Sequence, residues 1–334
     1  MGRVNVGIVG ATGLVGDMTA SILRERHFPV EDMRFFASAR SAGRRLNFGD
    51  RELDITEVTP GCFEGLDVVF VCAGTDVSRE VVPRVVSEGA VAIDKSNAYR
   101  MDPDVPLVVP EVNAVALGKH RGIIANPNCT TIQMVVALAP IARAAGLERV
   151  VASTYQSVSG TGREAVDELT DLSRRVLDDE RVQPRVYPHQ IAFNLLPHID
   201  NFDAQGYSGE ERKLMLETRK IMGLPELLIS ATTVRVPVYW GHGISVMVET
   251  SEKLTAARAR ELLAGQPGLV LQDDPKRCVY PMPITAAGTD EVYVGRIRED
   301  ESHPRALHLW IVADNVRKGA ATNAVQIAEH LFRA

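Results

Sequence analysis

The sequence predicts an α/β protein of two domains, and three observations support this prediction. Short apolar strands alternate with helices as far as about residue 125, which predicts a parallel sheet covered on both faces. A glycine-rich turn follows the first strand directly and opens a helix. After residue 129 longer strands alternate with polar helices, and 334 residues are too many for one ordinary core.

The order of the predicted elements indicates a Rossmann-type sheet in the first domain. We predict strands at 5–9, 34–37, 68–72, 91–93, 107–109 and 122–125, and helices at 14–26 and 78–87. In the second domain we predict helices at 130–145, 163–178 and 209–222, and strands of a largely antiparallel sheet at 150–156, 230–237, 243–250, 292–298 and 307–313. A last helix at 320–332 returns to the first domain. The predicted domains are therefore 1–128 with 316–334, and 129–315.

Composition excludes several classes of protein. The net charge is −6 and no long block of Lys and Arg offsets it, so we expect neither a nucleic acid nor an anionic membrane as partner. No apolar run approaches the length of a membrane span, and the N-terminus lacks the apolar core of a secretory signal. The four cysteines are scattered without a C-x-x-C pair, so we expect no metal site and no disulfide framework. We therefore expect a cytoplasmic protein.

Two loops of the first domain predict a dinucleotide site. Gly10, Gly13 and Gly16 allow a tight turn and let the backbone approach a pyrophosphate at the helix N-terminus, although such a turn is also found as a purely structural feature. An enzyme that uses NAD usually has an acidic residue after the second strand. Here Ser38-Ala39-Arg40-Ser41 supplies hydroxyls and a guanidinium, which suit the 2′-phosphate of NADP; a solvated basic loop is the alternative.

Cys129 lies in the motif Asn126-Pro127-Asn128-Cys129-Thr130-Thr131, immediately before a predicted helix. A helix N-terminus favours the thiolate, which is the nucleophilic form of cysteine. A thiolate there suits attack on an aldehyde or an acyl phosphate to give a thioester. The alternative is a buried cysteine without a chemical role, and the presence of a dinucleotide turn in the same chain favours the nucleophile.

A nucleophilic cysteine usually works with an acid/base partner, and eight histidines are present. His242 stands between two glycines, after an apolar segment that carries Arg235. Most of the other histidines lie in polar or strand contexts. His242 is therefore the candidate, although its local sequence fits a structural residue equally well.

Together these segments resemble bacterial aspartate-β-semialdehyde dehydrogenases over nearly the whole chain. The resemblance is carried by 10–16, 38–41, 105–113, 126–131, 155–162, 191–194, 210–221, 235–242, 294–298, 314–315 and 318–321. It implies an NADP-dependent oxidoreductase that reduces aspartyl phosphate to aspartate semialdehyde and phosphate through a cysteine thioester. That reaction serves the biosynthesis of lysine through diaminopimelate, and of methionine and threonine. The resemblance also implies a homodimer formed through the second, catalytic domain.

The resemblance assigns roles to single residues. Cys129 matches the nucleophile, His242 the general acid/base and Gln156 the residue that holds the substrate and its reacting carbonyl. The substrate-binding matches are Arg235 for the α-carboxylate, Glu210 for the α-amino group, and Arg100 with Lys213 for phosphate. The matches to NADP contacts are Gly10, Thr12, Gly13, Leu14, Val15, Ser38, Arg40, Ser41, Ser159, Gly160 and Asn315.

Two rival functions fit these residues less well. N-acetyl-γ-glutamyl-phosphate reductase shares the fold, the cysteine and the chemistry, but its acylated amine offers Glu210 no ammonium to pair with. A non-catalytic nucleotide-binding paralogue has no chemical need for Cys129, Gln156, Arg235 and His242 together.

Many relatives read Asp-Asn-Ser where this chain has Asp94-Lys95-Ser96, which adds a cation near the expected phosphate site.

Overall fold

A computed structural model describes residues 2–332, which form two compact units. The first unit consists of residues 2–128 with 320–332, and the second of residues 129–319. No helix among the described residues has the length and apolar character needed to cross a bilayer. The same residues contain no cluster of three or more His, Cys, Asp or Glu side chains able to hold a metal ion.

The first unit is built on a seven-stranded sheet. Its strands are β1 (Val4–Val9), β2 (Val30–Ala37), β3 (Arg45–Phe48), β4 (Arg51–Glu57), β5 (Val68–Val71), β6 (Val91–Asp94) and β7 (Ile123–Ala125). Its α-helices are α1 (Leu14–Glu25), α2 (Thr75–Ser87) and α3 (Pro110–Asn113). The last helix of the chain, α9 (Asn323–Phe332), also belongs to this unit. The strand order is β3-β4-β2-β1-β5-β6-β7, and every neighbouring pair is parallel except the β3–β4 hairpin.

The predicted parallel sheet is confirmed, because its central strands are apolar enough to be buried on both faces. All four residues of β5 are buried, as are Val6 and Ile8 of β1. The β3–β4 hairpin was not predicted. The strand predicted at 107–109 is wrong: in the structure only Leu107 makes an isolated bridge to Ala125.

The second unit is built on a six-stranded sheet. Its strands are β8 (Arg149–Gln156), β9 (Leu228–Arg235), β10 (His242–Glu249), β11 (Leu269–Leu271), β12 (Val292–Glu299) and β13 (Ala306–Ala313). Its helices are α4 (Cys129–Ala145), α5 (Arg163–Leu177), α6 (Gly209–Met222), α7 (Ala256–Leu263) and α8 (Pro283–Ala286). The strand order is β11-β12-β13-β10-β8-β9, and α4 packs against both α6 and α7.

This sheet is more mixed than the sequence predicts. The pairs β12–β13, β13–β10 and β10–β8 are antiparallel, but β8–β9 and β11–β12 are parallel. The prediction that β9 runs antiparallel to its neighbour is therefore wrong. The chain between β8 and β9 contains α5 and α6, and a long helical crossover is the connection that parallel strands require.

Short irregular helices complete the chain. Three 3₁₀ segments lie at Ala114–Lys119, Val158–Gly160 and Pro275–Arg277, and a π-helical segment, Arg317–Thr322, precedes α9. The sequence predicts a single helix over 320–332, whereas the α-helix begins only at Asn323.

Candidate active site

Three predicted site residues form one row across the second sheet. Gln156 ends β8 and Arg235 ends β9, and the two are partners in register. His242 begins the antiparallel β10, where the pairing of Tyr155 with Gly243 brings it beside Gln156. All three side chains are buried. We call Arg235, Gln156 and His242 the reaction row, because the strand ends bring them together although they lie far apart in the sequence.

Cys129 is the first residue of α4, as its motif predicts. The aligned peptide dipoles of a helix give its N-terminus partial positive charge, which favours a thiolate there. Gly319 passes directly against this residue: a Cβ atom at Gly319 would lie 2.9 Å from the Cβ of Cys129. A larger residue at position 319 would displace the cysteine, so this glycine makes room for the sulfur at the start of α4.

Contacts with Ser157 at the ring nitrogen Nδ1 hold the His242 side chain in place. The backbone N–H of Ser157 donates to Nδ1 at 3.0 Å, and the Ser157 hydroxyl lies at the same distance. A backbone amide can only donate, so Nδ1 accepts and the neutral ring carries its hydrogen on Nε2. Nε2 is buried and has no hydrogen-bond partner among the described residues. Burial, followed by the positive charge of Arg235, holds the pKa of His242 well below its usual value, so the ring is neutral.

One nitrogen of the Arg235 guanidinium forms a hydrogen bond within the protein, and another does not. Its Nη1 donates to the carbonyl oxygen of Ser157 at 2.7 Å, whereas its buried Nε has no partner among residues 2–332. A Cβ atom at Gly160 would come within 2.9 Å of Nη1 and 3.3 Å of His242 Nε2. Glycine at position 160 thus keeps open the space between the two side chains, where an anionic ligand has a guanidinium to bind.

Gln156 connects the reaction row to helix α6. Its amide nitrogen donates to the carboxylate of Glu210 and to the hydroxyl of Thr154, each at 3.2 Å. The other Glu210 oxygen accepts from Lys213 at 3.4 Å, and Lys213 also donates to Asp200 at 2.8 Å. The Lys213 ammonium is therefore held between two carboxylates, and Glu210 and Lys213 lie side by side, as their spacing on a helix predicts.

Asn315 and Ser159, which the resemblance matches to NADP contacts, are buried in a polar network behind His242. The Asn315 side-chain oxygen accepts from the Ser157 hydroxyl and from the Gly241 backbone N–H, each at 3.0 Å, and from the Ser159 hydroxyl at 3.2 Å. Sequence reasoning did not select Ser157. Its only sequence signal is its place directly after Gln156, because Asn315 and His242 are far away in the chain.

The nucleotide turn of the first unit, residues 10–16, lies at the switch point of its sheet. Gly10 follows β1 and Cys72 follows β5, the strands at which the chain changes direction across the sheet. Gly10 has φ +78°, and a Cβ atom there would lie 2.5 Å from the carbonyl oxygen of Cys72. A Cβ atom at Gly16 would lie 2.3 Å from the Gly10 oxygen, so only glycine permits this close packing of helix on strand.

The turn borders a cavity of about 460 Å³. Six of its lining residues were predicted: Gly10, Thr12, Gly13, Ser38, Arg40 and Ser41. Leu14 and Val15 are the first two residues of α1, whose N-cap, Gly13, has no side chain to satisfy the first amide groups. Bare backbone at a helix N-terminus beside hydroxyls and a guanidinium fits the phosphates of NADP.

The cavity also has a wall that sequence reasoning missed. Cys72 and Ala73 follow β5, while Val77 and Glu80 lie on α2. The rule that ligands bind beyond the carboxyl ends of parallel strands would have selected the first two. Arg100 is buried elsewhere in this unit, where it donates to the carbonyl oxygens of Asn126 at 3.0 Å and Lys95 at 2.8 Å.

Models of two protein domains match the chain. "Semialdehyde dehydrogenase, NAD binding domain" matches residues 5–120, and "Semialdehyde dehydrogenase, dimerisation domain" matches residues 138–318. The chain belongs to the semialdehyde dehydrogenase family. The predicted resemblance and the predicted fold class are thereby confirmed.

Relatives named aspartate-semialdehyde dehydrogenase extend over the same length. The protein of Aquifex aeolicus is 50% identical over 98% of both chains, and that of Bacillus subtilis 47% identical over 99% of this chain and 98% of the relative. The crystal structure of aspartate semialdehyde dehydrogenase II from Vibrio cholerae complexed with ASA has a TM-score of 0.97 at 42% identity, covering 100% and 99%. The structure of the Candida albicans enzyme with NADP has a TM-score of 0.77 at 26% identity, covering 99% and 98%.

Proposed function

We propose that this protein is an aspartate-β-semialdehyde dehydrogenase that reduces L-aspartyl-4-phosphate to L-aspartate-4-semialdehyde and phosphate with NADPH. The observation that carries the proposal is the reaction row: a guanidinium, an amide and an imidazole converge at one end of a sheet in a member of this family. The enzyme acts as a homodimer in the cytoplasm, in the biosynthesis of lysine, methionine and threonine.

Each charged group of the substrate has a partner in the proposed site. Arg235 binds the α-carboxylate through its Nε edge, since Nη1 is occupied by Ser157. Glu210 binds the α-ammonium, and its carboxylate is oriented for this by Gln156. Arg100 and Lys213 bind the phosphate. For Lys213 this means a shift away from Asp200, its partner in the structure.

Cys129 forms the covalent intermediate. The sulfur attacks the acyl carbon, a C–S bond forms, and the carbonyl π pair moves to oxygen. When the C=O bond re-forms, the bond to the phosphate oxygen breaks and phosphate departs with that electron pair, leaving a thioester. Gln156 holds the reacting carbonyl during these steps, and His242 serves as the general acid/base.

The nucleotide turn and the loop after β2 hold the cofactor. Thr12 to Val15 supply amide groups for the pyrophosphate, and Ser38, Arg40 and Ser41 bind the 2′-phosphate. Ser159, Gly160 and Asn315 complete the proposed contacts. Bound NADPH supplies the hydride that turns the thioester into the aldehyde.

The rival functions have less support. The relatives in these comparisons carry the aspartyl name, and Glu210 in contact with Gln156 offers a carboxylate that an acylated amine does not require. A non-catalytic role leaves the buried reaction row unexplained.

The test is NADPH formation from NADP, phosphate and aspartate semialdehyde, with N-acetyl-glutamate semialdehyde as the competing substrate. We expect strong preference for the aspartyl compound. Cys129→Ala should abolish turnover, and Cys129→Ser should be nearly as inactive, because an alkoxide is far less accessible than a thiolate near neutral pH. Cys278→Ser, at an exposed cysteine, is the matched control and should keep full activity.

NADP binding, measured by fluorescence titration, should be unchanged in all three variants. Substantial turnover by Cys129→Ala would refute the covalent mechanism. Preference for the acetylated substrate would refute the assignment of the substrate.

A further inference from the structure

Lys213 and Glu210 lie side by side on α6, although they have opposite tasks in the proposed function. The Lys213 ammonium binds the phosphate of the substrate, whereas the Glu210 carboxylate binds the α-ammonium. In the structure these two side chains contact each other, with Lys213 Nζ 3.4 Å from Glu210 Oε2. An ammonium of the protein therefore competes for the carboxylate that the substrate ammonium needs. Both side chains are largely buried, so solvent screens this contact poorly.

Asp200 offers Lys213 a second carboxylate. Its Oδ2 accepts from Lys213 Nζ at 2.8 Å, which is shorter than the 3.4 Å contact with Glu210. The other Glu210 oxygen, Oε1, accepts from Gln156 at 3.2 Å. The ammonium of Lys213 is thus drawn towards Asp200, and its hold on Glu210 Oε2 is weakened.

The local backbone is shaped around the Asp200 carboxylate. Asp200 has φ +71°, in the left-handed region that aspartate tolerates better than most residues. Its Oδ1 accepts from the N–H of the next residue, Asn201, at 2.8 Å, which leaves Oδ2 to Lys213. A Cβ atom at Gly209, the first residue of α6, would lie 2.6 Å from Oδ2. A larger residue at position 209 would displace the carboxylate from its place beside Lys213.

The balance of charge explains why a second carboxylate is needed. The substrate brings one ammonium to Glu210, and Lys213 places a second ammonium beside it. Two like charges a few ångströms apart repel each other, and one carboxylate cannot neutralise both. With Asp200, each ammonium has a carboxylate of its own. When phosphate binds, Lys213 exchanges Asp200 for the phosphate, and water can solvate the Asp200 side chain, which is 41% exposed.

We propose that Asp200 is a positioning residue that holds the Lys213 ammonium away from Glu210 and competes with phosphate for it. The identity of the two substrate groups rests on the proposed function. Asp200 acts on the two ligands in opposite directions: it favours binding of the α-ammonium and weakens binding of phosphate. A carboxylate that only held the loop in place would not have opposite effects on the two.

The test substitution is Asp200→Asn, because asparagine has the same size and also tolerates the left-handed region. We expect the KM for aspartate semialdehyde, at phosphate below its own KM, to rise by about two- to tenfold, the value of one hydrogen bond. The KM for phosphate should fall by about two- to fivefold, the value of a partly exposed ion pair, with kcat nearly unchanged. At saturating phosphate the rise in the first KM should shrink, because phosphate then holds Lys213.

Asp203→Asn is the matched control in the same loop. Asp203 likewise pairs with a basic residue of α6, Arg212, at 2.6 Å, and it also accepts from the N–H groups of Gln205 and Tyr207. Both KM values should stay as in the wild type. Equal changes in the two variants would mean that Asp200 only supports the loop, and would overturn the proposal. Unchanged KM values in Asp200→Asn, or two KM values that moved in the same direction, would overturn it as well.

Titration calorimetry with inorganic phosphate requires no turnover and so separates this inference from the proposed function. Asp200→Asn should bind phosphate more tightly by the same factor of about two to five. In a Lys213→Met protein the same substitution should have little effect, because Asp200 then has no ammonium to hold; an equal effect there would overturn the proposal. A protein inactive on the semialdehyde but with tighter phosphate binding in Asp200→Asn would refute the proposed function alone. An active enzyme whose phosphate affinity was unchanged by this substitution would refute the role of Asp200 alone.

Discussion

The nucleotide turn of the first unit and the reaction row of the second are built by different means. The turn depends on backbone: Gly10 and Gly16 allow contacts that no side chain would permit. Arg40, the cation beside the turn, is exposed. In the reaction row, by contrast, every side chain is buried and at least two of them, Gln156 and His242, are held by a second polar residue.

This difference predicts how the two regions respond to substitution. Removing one partner of a buried hydrogen bond leaves the other partner unsatisfied, so changes in the reaction row should be costly. An exposed charge is screened by water and salt, so changes beside the turn should cost less.

Of the substitutions that compare the reaction row with the nucleotide turn, Arg235→Lys should have the largest effect. Arg235→Lys replaces a planar guanidinium, which contacts Ser157 and in the proposed function also binds the substrate carboxylate, by an ammonium that acts as a point charge. We expect the KM for aspartate semialdehyde to rise by about ten- to a hundredfold, the value of one charge-assisted hydrogen bond, with a smaller change in kcat. Steady-state kinetics at saturating NADP and phosphate measure both constants.

Arg149→Lys is the matched control, at an exposed arginine that begins β8 of the same sheet. It should leave both constants as they are. If Arg235→Lys behaved like this control, Arg235 would not contact the substrate.

The sequence predicted the nucleotide turn better than the reaction row, for a physical reason. A turn made of backbone needs glycines at fixed spacing, and such spacing is visible in a single chain. Helix α6 was predicted with its observed bounds, Gly209–Met222, and the capping box that the structure shows at Ser208 is a local feature of the sequence. The β3–β4 hairpin was missed because its strands are largely exposed and polar, and pairing of β4 with β2 fixes them.

The polar network behind His242 had no local signal at all. Ser157, His242 and Asn315 are brought together by strand order and register. The parallel direction of β9 was mispredicted for a similar reason, although the two helices of the crossover were recognised. The roles of single residues in the site stay predictions, and so do the limits of the two predicted domains.

A smaller effect is expected in the exposed loop beside the turn. Arg40→Ala should raise the KM for NADP by about tenfold, the lower end for a charge-assisted contact because Arg40 is exposed, and leave the use of NAD unchanged. Arg44→Ala, a nearby exposed arginine that does not line the cavity, is the control. Both cofactors are compared at low salt, where a guanidinium–phosphate contact is least screened.

Equal losses with NADP and NAD would mean that Arg40 supports the loop or the adenine rather than the 2′-phosphate. A wild-type enzyme that used NAD as well as NADP would refute the assignment of this loop, without bearing on Cys129.

Lys95 belongs neither to the buried reaction row nor to the exposed loop beside the nucleotide turn. Its stem is partly exposed, but its Nζ is buried and has no hydrogen-bond partner among the described residues, unlike Lys213 between its two carboxylates. Burial, together with the nearby charge of Arg100, lowers the pKa of Lys95 to about 8 from its ordinary 10.5, although Cys72 acts in the opposite direction. The folded state therefore binds this proton more weakly than the unfolded state.

The sign of the pH dependence follows from this difference. Below pH 8 the amine is charged in both states, and the folded state bears the full cost of burying it. From about pH 8 to 10.5 the folded state deprotonates first, so the cost is progressively relieved. Lys95→Met should therefore raise the free energy of unfolding by about 2–3 kcal/mol at pH 7, and the gain should shrink towards zero at pH 10.

Urea denaturation at the two pH values and at one protein concentration measures this, with Lys119→Met, an exposed lysine of the same unit, as the control. Other groups titrate between the same pH values, but they do so equally in the variants and cancel from the difference. A Lys95→Met protein less stable than the wild type at pH 7 would show that the amine is stabilised by a contact it lacks in this structure. A gain that stayed constant between pH 7 and 10 would mean that the apolar side chain packs better, and that charge plays no part.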